Sequence, residues 1–207
     1  MDDKSARLIA HFNAFDTDCE SRGFLCTDTE ADIWQPSPLA HIDHVVKEFL
    51  KRGVLSKSAP FLDAGSGDGR VVALTSLHGI PSYGIEYDQE FAALSLRKLR
   101  MLKEMGILNG TPATIVQGDF SKDETCQKLG VDFTKFLLIF NYRSNVQQIA
   151  SKVKSQSPKG TRFVLYEFLR LPSPYYGLDL EEVLELDGLA DRRVYHEPMF
   201  AHVYRKT

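Results

Sequence analysis

Cysteine is scarce in this 207-residue sequence: Cys19, Cys26 and Cys126 are the full set, and no two of them show C-x-x-C spacing. That excludes a disulfide-stapled scaffold and a paired-thiolate zinc site, and it suits a reducing compartment. Long apolar runs are missing as well. The most apolar stretch, Phe136 to Phe140, has the length of a core strand and not of a membrane span. Positive charge is not in excess: 25 Lys and Arg against 28 Asp and Glu leave a formal net charge of −3. The overall basic footprint of a nucleic-acid binder is therefore absent. The start, Met1-Asp2-Asp3-Lys4-Ser5, has neither the basic segment nor the apolar core of a secretion signal. Internal repeats and low-complexity linkers are lacking too. The expectation is one soluble, cytoplasmic domain with no membrane partner and no nucleic-acid partner.

What is present is an alternation of short apolar strands and amphipathic helices. Leu8, Ile9, Phe12 and Phe15 predict a helix over residues 3–21, a cover at the N-terminus. Gly23 to Ile33 reads as a loop. Ser37 as N-cap and Pro38 at the first helical position predict a second helix, which Gly53 ends. Strands are expected at Pro60–Ala64, Ser82–Glu86, Thr111–Val116, Lys135–Phe140 and Thr161–Phe168. Helices separate them: one begins near Arg70, one runs from a cap at Asp88 to about Met105, one spans Asp123–Leu129 and one Asn145–Ser155. Such alternation predicts a parallel sheet covered on both faces. Pro172, Pro174 and Gly177 mark a loop. Val183–Leu186 and Phe200–Tyr204 then read as an antiparallel pair at the sheet edge.

The densest signal is Phe61-Leu62-Asp63-Ala64-Gly65-Ser66-Gly67-Asp68-Gly69-Arg70, a strand running into three alternating glycines and then a helix. Glycine admits positive φ and lets a ligand approach the backbone. The helix start adds unpaired N–H groups. A dinucleotide fingerprint needs a glycine where Arg70 stands. A nicotinamide-dependent oxidoreductase is thus disfavoured, though it remains an alternative.

Ligands of open parallel sheets sit beyond the carboxyl ends of the strands, where the winding reverses. Glu86 ends the second strand, 21 residues after Gly65, and is placed to accept both ribose hydroxyls; otherwise it is a surface acid. Tyr87 beside it is expected along a base. Asp119, in Gln117-Gly118-Asp119-Phe120, ends the third strand, and either faces the ligand crevice beside Phe120 or caps the next helix. Asn141 and Tyr142 follow the fourth strand, and either line the ligand crevice or form a plain turn. His41 and His44 lack a third ligand and read as polar helix-face residues, so no metal is expected. Arg97, Lys98, Arg100 and Lys103 read as a solvated cationic helix end.

The spacing acid-x-Gly-x-Gly-x-Gly of Asp63, Gly65, Gly67 and Gly69 resembles motif I of the class I S-adenosylmethionine-dependent methyltransferases. Gly84-Ile85-Glu86, Lys159-Gly160-Thr161-Arg162 and His202-Val203-Tyr204-Arg205-Lys206 extend the likeness. So does Trp34-Gln35-Pro36-Ser37-Pro38, similar to an aromatic-x-Pro-Thr-Pro segment. Together they resemble the branch of archaeal lysine methyltransferases and ATP synthase c-subunit lysine methyltransferases. The resemblance implies an α/β, Rossmann-like, doubly wound, mostly parallel sheet of about seven strands, with a C-terminal antiparallel hairpin and N-terminal cover helices. It covers residues 34–207 as the methyltransferase domain and leaves 1–33 as the helical cover read from the spacing of Leu8, Ile9, Phe12 and Phe15. S-adenosyl-L-methionine is the implied cofactor, held by Trp34, Pro36, Ser37, Asp63, Gly65, Ser66, Gly67, Gly69, Glu86, Tyr87, Asp119 and Phe120. In that family the acid after the third strand meets the adenine amino group, and the glycine loop wraps the amino-acid end and ribose. The implied activity is methyl transfer to a protein lysine, with Asn141 and Tyr142 as acceptor-channel residues and Trp34 and Tyr142 suited to an ammonium. Alternatives are a small-molecule or nucleic-acid methyltransferase, or a cofactor-binding protein without catalysis.

Overall fold

Leu8 and Phe12, one helical turn apart, are fully buried on the inner face of α1 (Asp3–Ser21). This helix opens a computed structural model whose described residues are 3–23, 26–29, 33–172, 177–186, 188 and 198–207. Within the stretch expected to be loop, β1 (Thr27–Asp28) pairs antiparallel with β2 (Ile33–Trp34). The pairing sets the position of Trp34. Then comes α2 (Leu39–Lys51), with Leu39, Ile42, Val45, Val46 and Phe49 inward. Ser37 does not cap it: Pro38 holds the N-cap position and no side chain caps the helix. One residue too early to cap, Ser37 instead offers its carbonyl to Arg70.

Alternation follows as expected: β3 (Phe61–Ala64), α3 (Arg70–Leu77), β4 (Ser82–Glu86), α4 (Gln89–Glu104), β5 (Ala113–Gln117), α5 (Asp123–Lys128), β6 (Leu138–Asn141), α6 (Val146–Gln156) and β7 (Arg162–Glu167). The Asp88 carboxylate caps α4 by accepting from the N–H groups of Glu90 and Phe91. Strand β6 starts later than its apolar run, because Phe133–Lys135 form a 3-10 turn closed by Asp132. The tail supplies β8 (Asp179–Glu185), longer than the apolar signal, and β9 (Phe200–Arg205). Pro174 and the connection 189–197 lie outside the described residues.

The seven strands run in the order β5-β4-β3-β6-β7-β9-β8. All pairings up to β7 are parallel, and β9 runs antiparallel to both β7 and β8. Strand period divides the core. Phe61, Leu138, Phe140, Val164 and Tyr166 face the cluster shared with the first four helices. Leu62, Ala64, Ile139, Phe163 and Leu165 face the cluster with Ile149 and Val153 of α6. The edge strand β8 carries acids paired to Arg52 and Arg162, which blunts it against edge-to-edge pairing. No helix among the described residues is long and apolar enough to cross a membrane. From β3 the chain winds to β4 and β5, then returns to β6 on the other side of β3. That reversal opens a crevice beyond the ends of β3 and β6.

Candidate functional site

In that crevice lies a cavity of about 560 Å³, within the range of small-molecule sites. Its floor is the loop after β3. Gly67 has a φ of 51°, and a Cβ there would stand 2.6 Å from Trp34 Nε1. The indole therefore rests on the loop, 4.8 Å from the Phe91 ring between centroids. Gly69 serves a different contact: a Cβ would meet Ile115 Cδ1 at 2.8 Å and Ser95 Cβ at 3.0 Å. It lets the loop dock on β5 and α4 and is not among the lining residues. Gly84 plays the matching part under Ser66, whose hydroxyl would lie 2.7 Å from a Cβ on it. That Ser66 hydroxyl is buried and has no hydrogen-bond partner among the described residues.

Two carboxyls face this cavity from neighbouring strands. Glu86 accepts from the Gly67 N–H at 2.6 Å with Oε2 and from the Asp88 N–H at 2.9 Å with Oε1. Burial raises its pKa, against the pull of those N–H groups. Asp63 is wholly enclosed. Burial first, then the charges of Glu86 and Asp68, push its carboxyl well above the ordinary range. Raised carboxyls on one cavity wall favour a cationic ligand, which would restore their ionised forms.

The third strand end does not cap the next helix: α5 has Lys122 at its N-cap position and no side chain caps it. Asp119 Oδ1 accepts from the Ser121 N–H at 2.8 Å, a local turn, and the residue still lines the cavity beside Phe120. Tyr87 stands half-exposed at the rim. Trp34, Ser37, Gly65, Ser66 and Gly67 complete the set that the structure gathers there. Pro36 is buried away from the lining, and so is Asn141. The Asn141 amide donates from Nδ2 to the Ala64 carbonyl at 2.6 Å and ties the end of β6 to β3. Tyr142 does line the cavity. Its ring meets Tyr166 edge-on at 4.9 Å, and its buried hydroxyl has no partner among the described residues.

Beneath the loop is an ionic cluster that the sequence did not disclose. Arg70 is a two-sided fork. One edge meets Asp68 (Nε–Oδ1 2.9 Å, Nη2–Oδ2 2.9 Å) and the other meets Asp16 of α1 (2.8 and 2.6 Å). Lys98, expected in solvent, is buried instead. Its Nζ donates to Asp68 Oδ2 at 2.7 Å and sits 3.2 Å from the centre of the Phe15 ring. Burial alone would raise the Asp68 carboxyl, but Arg70 and Lys98 overcome it and hold the pKa at about 2. His41 also turns inward, with Nδ1 2.6 Å from the Tyr166 hydroxyl. Thr29, Phe91 and Gln148, three further lining residues, carry no sequence signal that points to the cavity.

A family model described as "DOT1: Histone methylation protein DOT1" matches residues 41–172. Among curated protein sequences nothing matches. In three dimensions the chain is similar to an RNA methyltransferase from Salinibacter ruber in complex with S-adenosyl-L-homocysteine. There the TM-score is 0.50 at 22% identity, over 83% of this chain and 92% of that one. It is also similar to magnesium protoporphyrin IX methyltransferase (ChlM) from Synechocystis PCC 6803 with bound SAM. That TM-score is 0.58 at 14% identity, over 100% and 99% of the two chains. Geranyl diphosphate methyltransferase in complex with SAM gives 0.54 at 11% identity, over 80% and 85%. At such identities the likeness is one of fold.

Proposed function

The chain belongs to the DOT1 histone methylation protein family, S-adenosylmethionine-dependent methyltransferases, and from that premise we propose that its methyl acceptor is a protein lysine amine. The observation that carries this reading is the family match, which spans more than half of the chain and includes the whole glycine loop.

The residues of the cavity fit the cofactor. A Cβ at Gly67 or Gly84 would crowd Trp34 or Ser66, so the floor depends on bare backbone at both. The Ser66 hydroxyl, without a partner among the described residues, offers a hydrogen bond, and the raised Asp63 carboxyl offers a site for an ammonium. In this reading Asp63 holds the amino-acid end of the cofactor and Glu86 accepts the ribose hydroxyls with the lone pairs its N–H bonds leave over. Asp119 and Phe120 meet the base, Tyr87 covers it from the rim, and Trp34 lies over the loop. The bound cofactor supplies a sulfonium methyl group that needs no further activation. The chain's own part is alignment and the exclusion of water. Trp34 and Tyr142 present aromatic faces in the same cavity, suited to an alkylammonium and its methylated forms. Asn141 holds the wall upright by its bond to the Ala64 carbonyl.

The test is transfer of radiolabelled methyl groups into lysate separated into protein, nucleic-acid and small-molecule fractions, then hydrolysis of the protein. Label recovered as methylated lysine is the expected result. Label confined to nucleic acid or small molecules would overturn the lysine reading.

A further inference from the structure

The carboxyl ends of β6 and β7 carry side chains that none of these roles uses. Glu167 closes β7 with its side chain only 5% exposed, and its nearest cation is held loosely: Arg143 Nε lies 4.0 Å from Oε2. The same guanidinium stands over the ring of Phe168, 3.6 Å from its centre. Behind the carboxylate is His202, fully buried, with Nδ1 3.3 Å from Glu167 Oε1. Neither ring nitrogen of His202 has an aligned hydrogen-bond partner among the described residues. Burial lowers the pKa of this histidine, against the pull of the Leu169 backbone. Arg143 is reached by an unusual backbone: it has a φ of 54°, and Asn145 two residues on has 48°. Left-handed geometry at a residue with a long side chain is strained. Arg143 lines the cavity beside Tyr142, and so joins the cavity to Glu167 and Phe168.

We propose that Glu167 and the Phe168 ring form a subsite for the alkylammonium group of the acceptor, occupied by Arg143 as an internal stand-in until the acceptor enters. This deepens the lysine reading and rests on it. A buried carboxylate beside an aromatic face is matched to a cation. The guanidinium that stands there is too distant for a hydrogen bond and sits on a strained backbone, so it is a displaceable occupant. A compact ammonium can close to hydrogen-bond distance, about 2.8 Å for a charge-assisted pair, where the planar guanidinium does not. Its alkyl stem would lie along Tyr142. The subsite lies at the ends of β6 and β7, beside the crevice where the cofactor loop sits, so acceptor and cofactor would meet there from adjoining strands.

The test titrates n-butylammonium, with n-butanol as the uncharged control, into the protein saturated with S-adenosylhomocysteine, and reads affinity from amide chemical shifts. Arg143→Ala is expected to bind n-butylammonium at least fivefold tighter than the native chain. Glu167→Gln should bind at least tenfold weaker, and Phe168→Leu, a milder change at a half-buried ring, severalfold weaker. Butanol should bind all four proteins alike. Affinities within twofold across the series, weaker binding by Arg143→Ala, or no binding at all would overturn the subsite. If methylated lysine forms while those affinities do not move, the subsite fails and the lysine reading stands. If the affinities move as stated while label enters only nucleic acid or small molecules, the subsite stands as an ammonium site and the lysine reading fails.

Discussion

Asp68→Asn should unfold the protein at a much lower temperature although it changes only one atom in the side chain. Asp68 is 1% exposed and faces two cations, accepting from Arg70 on one side and Lys98 on the other. The amide leaves Arg70 and Lys98, both buried, with Asp16 as the remaining anion of the cluster. Removing one partner from a buried ion pair costs roughly 3–5 kcal/mol. In a chain of this length each kcal/mol corresponds to about 2–4 °C in Tm, so a drop of roughly 6–20 °C is expected by calorimetry. The pH dependence gives a second reading. A carboxyl lowered from 3.8 to about 2 contributes stability that is full above pH 4 and disappears as pH falls through 2. The shift corresponds to about 2 kcal/mol. The native and variant melting temperatures should therefore converge between pH 4 and pH 2. In Asp68→Asn/Lys98→Met, which removes an anion and a cation together, about half of the loss should return. A variant that melts within 2 °C of the native chain at neutral pH, with no convergence in acid, would refute the reasoning.

Gly67→Ala places a methyl group against Trp34 at a φ of 51°, so affinity for S-adenosylhomocysteine should fall at least tenfold by calorimetry while the circular dichroism spectrum is kept. Asp63→Asn should separate stability from function. A carboxyl whose folded pKa is raised loses stability as pH rises through its unfolded toward its folded value, so removing the charge should raise Tm near neutrality by a few degrees. Cofactor affinity in the same variant should fall at least tenfold, and an unchanged affinity would remove Asp63 from the site. Tyr142→Phe deletes a buried hydroxyl that has no described partner, so Tm should hold or rise by the equivalent of about 1 kcal/mol. Methyl transfer should fall severalfold, and unaltered kinetics would take the hydroxyl out of the acceptor channel.

Much of this architecture was legible because its signals are local. Ser82–Glu86 as a strand, Asp88 as a cap and the antiparallel tail all follow from period, turn chemistry and spacing within a few residues. The placement of Asp63, Glu86 and Asp119 at successive strand ends follows too, since each strand stops where its apolar run stops. Legibility ends where a side chain could point to either side of a wall. Asn141 follows the fourth apolar run, where the sequence allows either an acceptor-channel residue or a plain turn, and its amide reaches across to the Ala64 carbonyl. Gly69 belongs to the glycine repeat, and the contacts it makes room for are Ile115 and Ser95, which lie far from it in sequence.

The sequence by itself determined the strand, glycine loop and helix around Asp63 to Arg70, the parallel winding, and which acids would end the strands. Only the tertiary structure decided that Lys98 is buried, that Asp16 of the first helix grips Arg70 under the loop, and that Arg143 reaches Glu167 and Phe168. The reason is range. Periodicity and turn chemistry act between neighbours, whereas residues 16, 68, 70 and 98 are brought together by packing alone, and burial then reverses the solvated state that a charged side chain adopts by default.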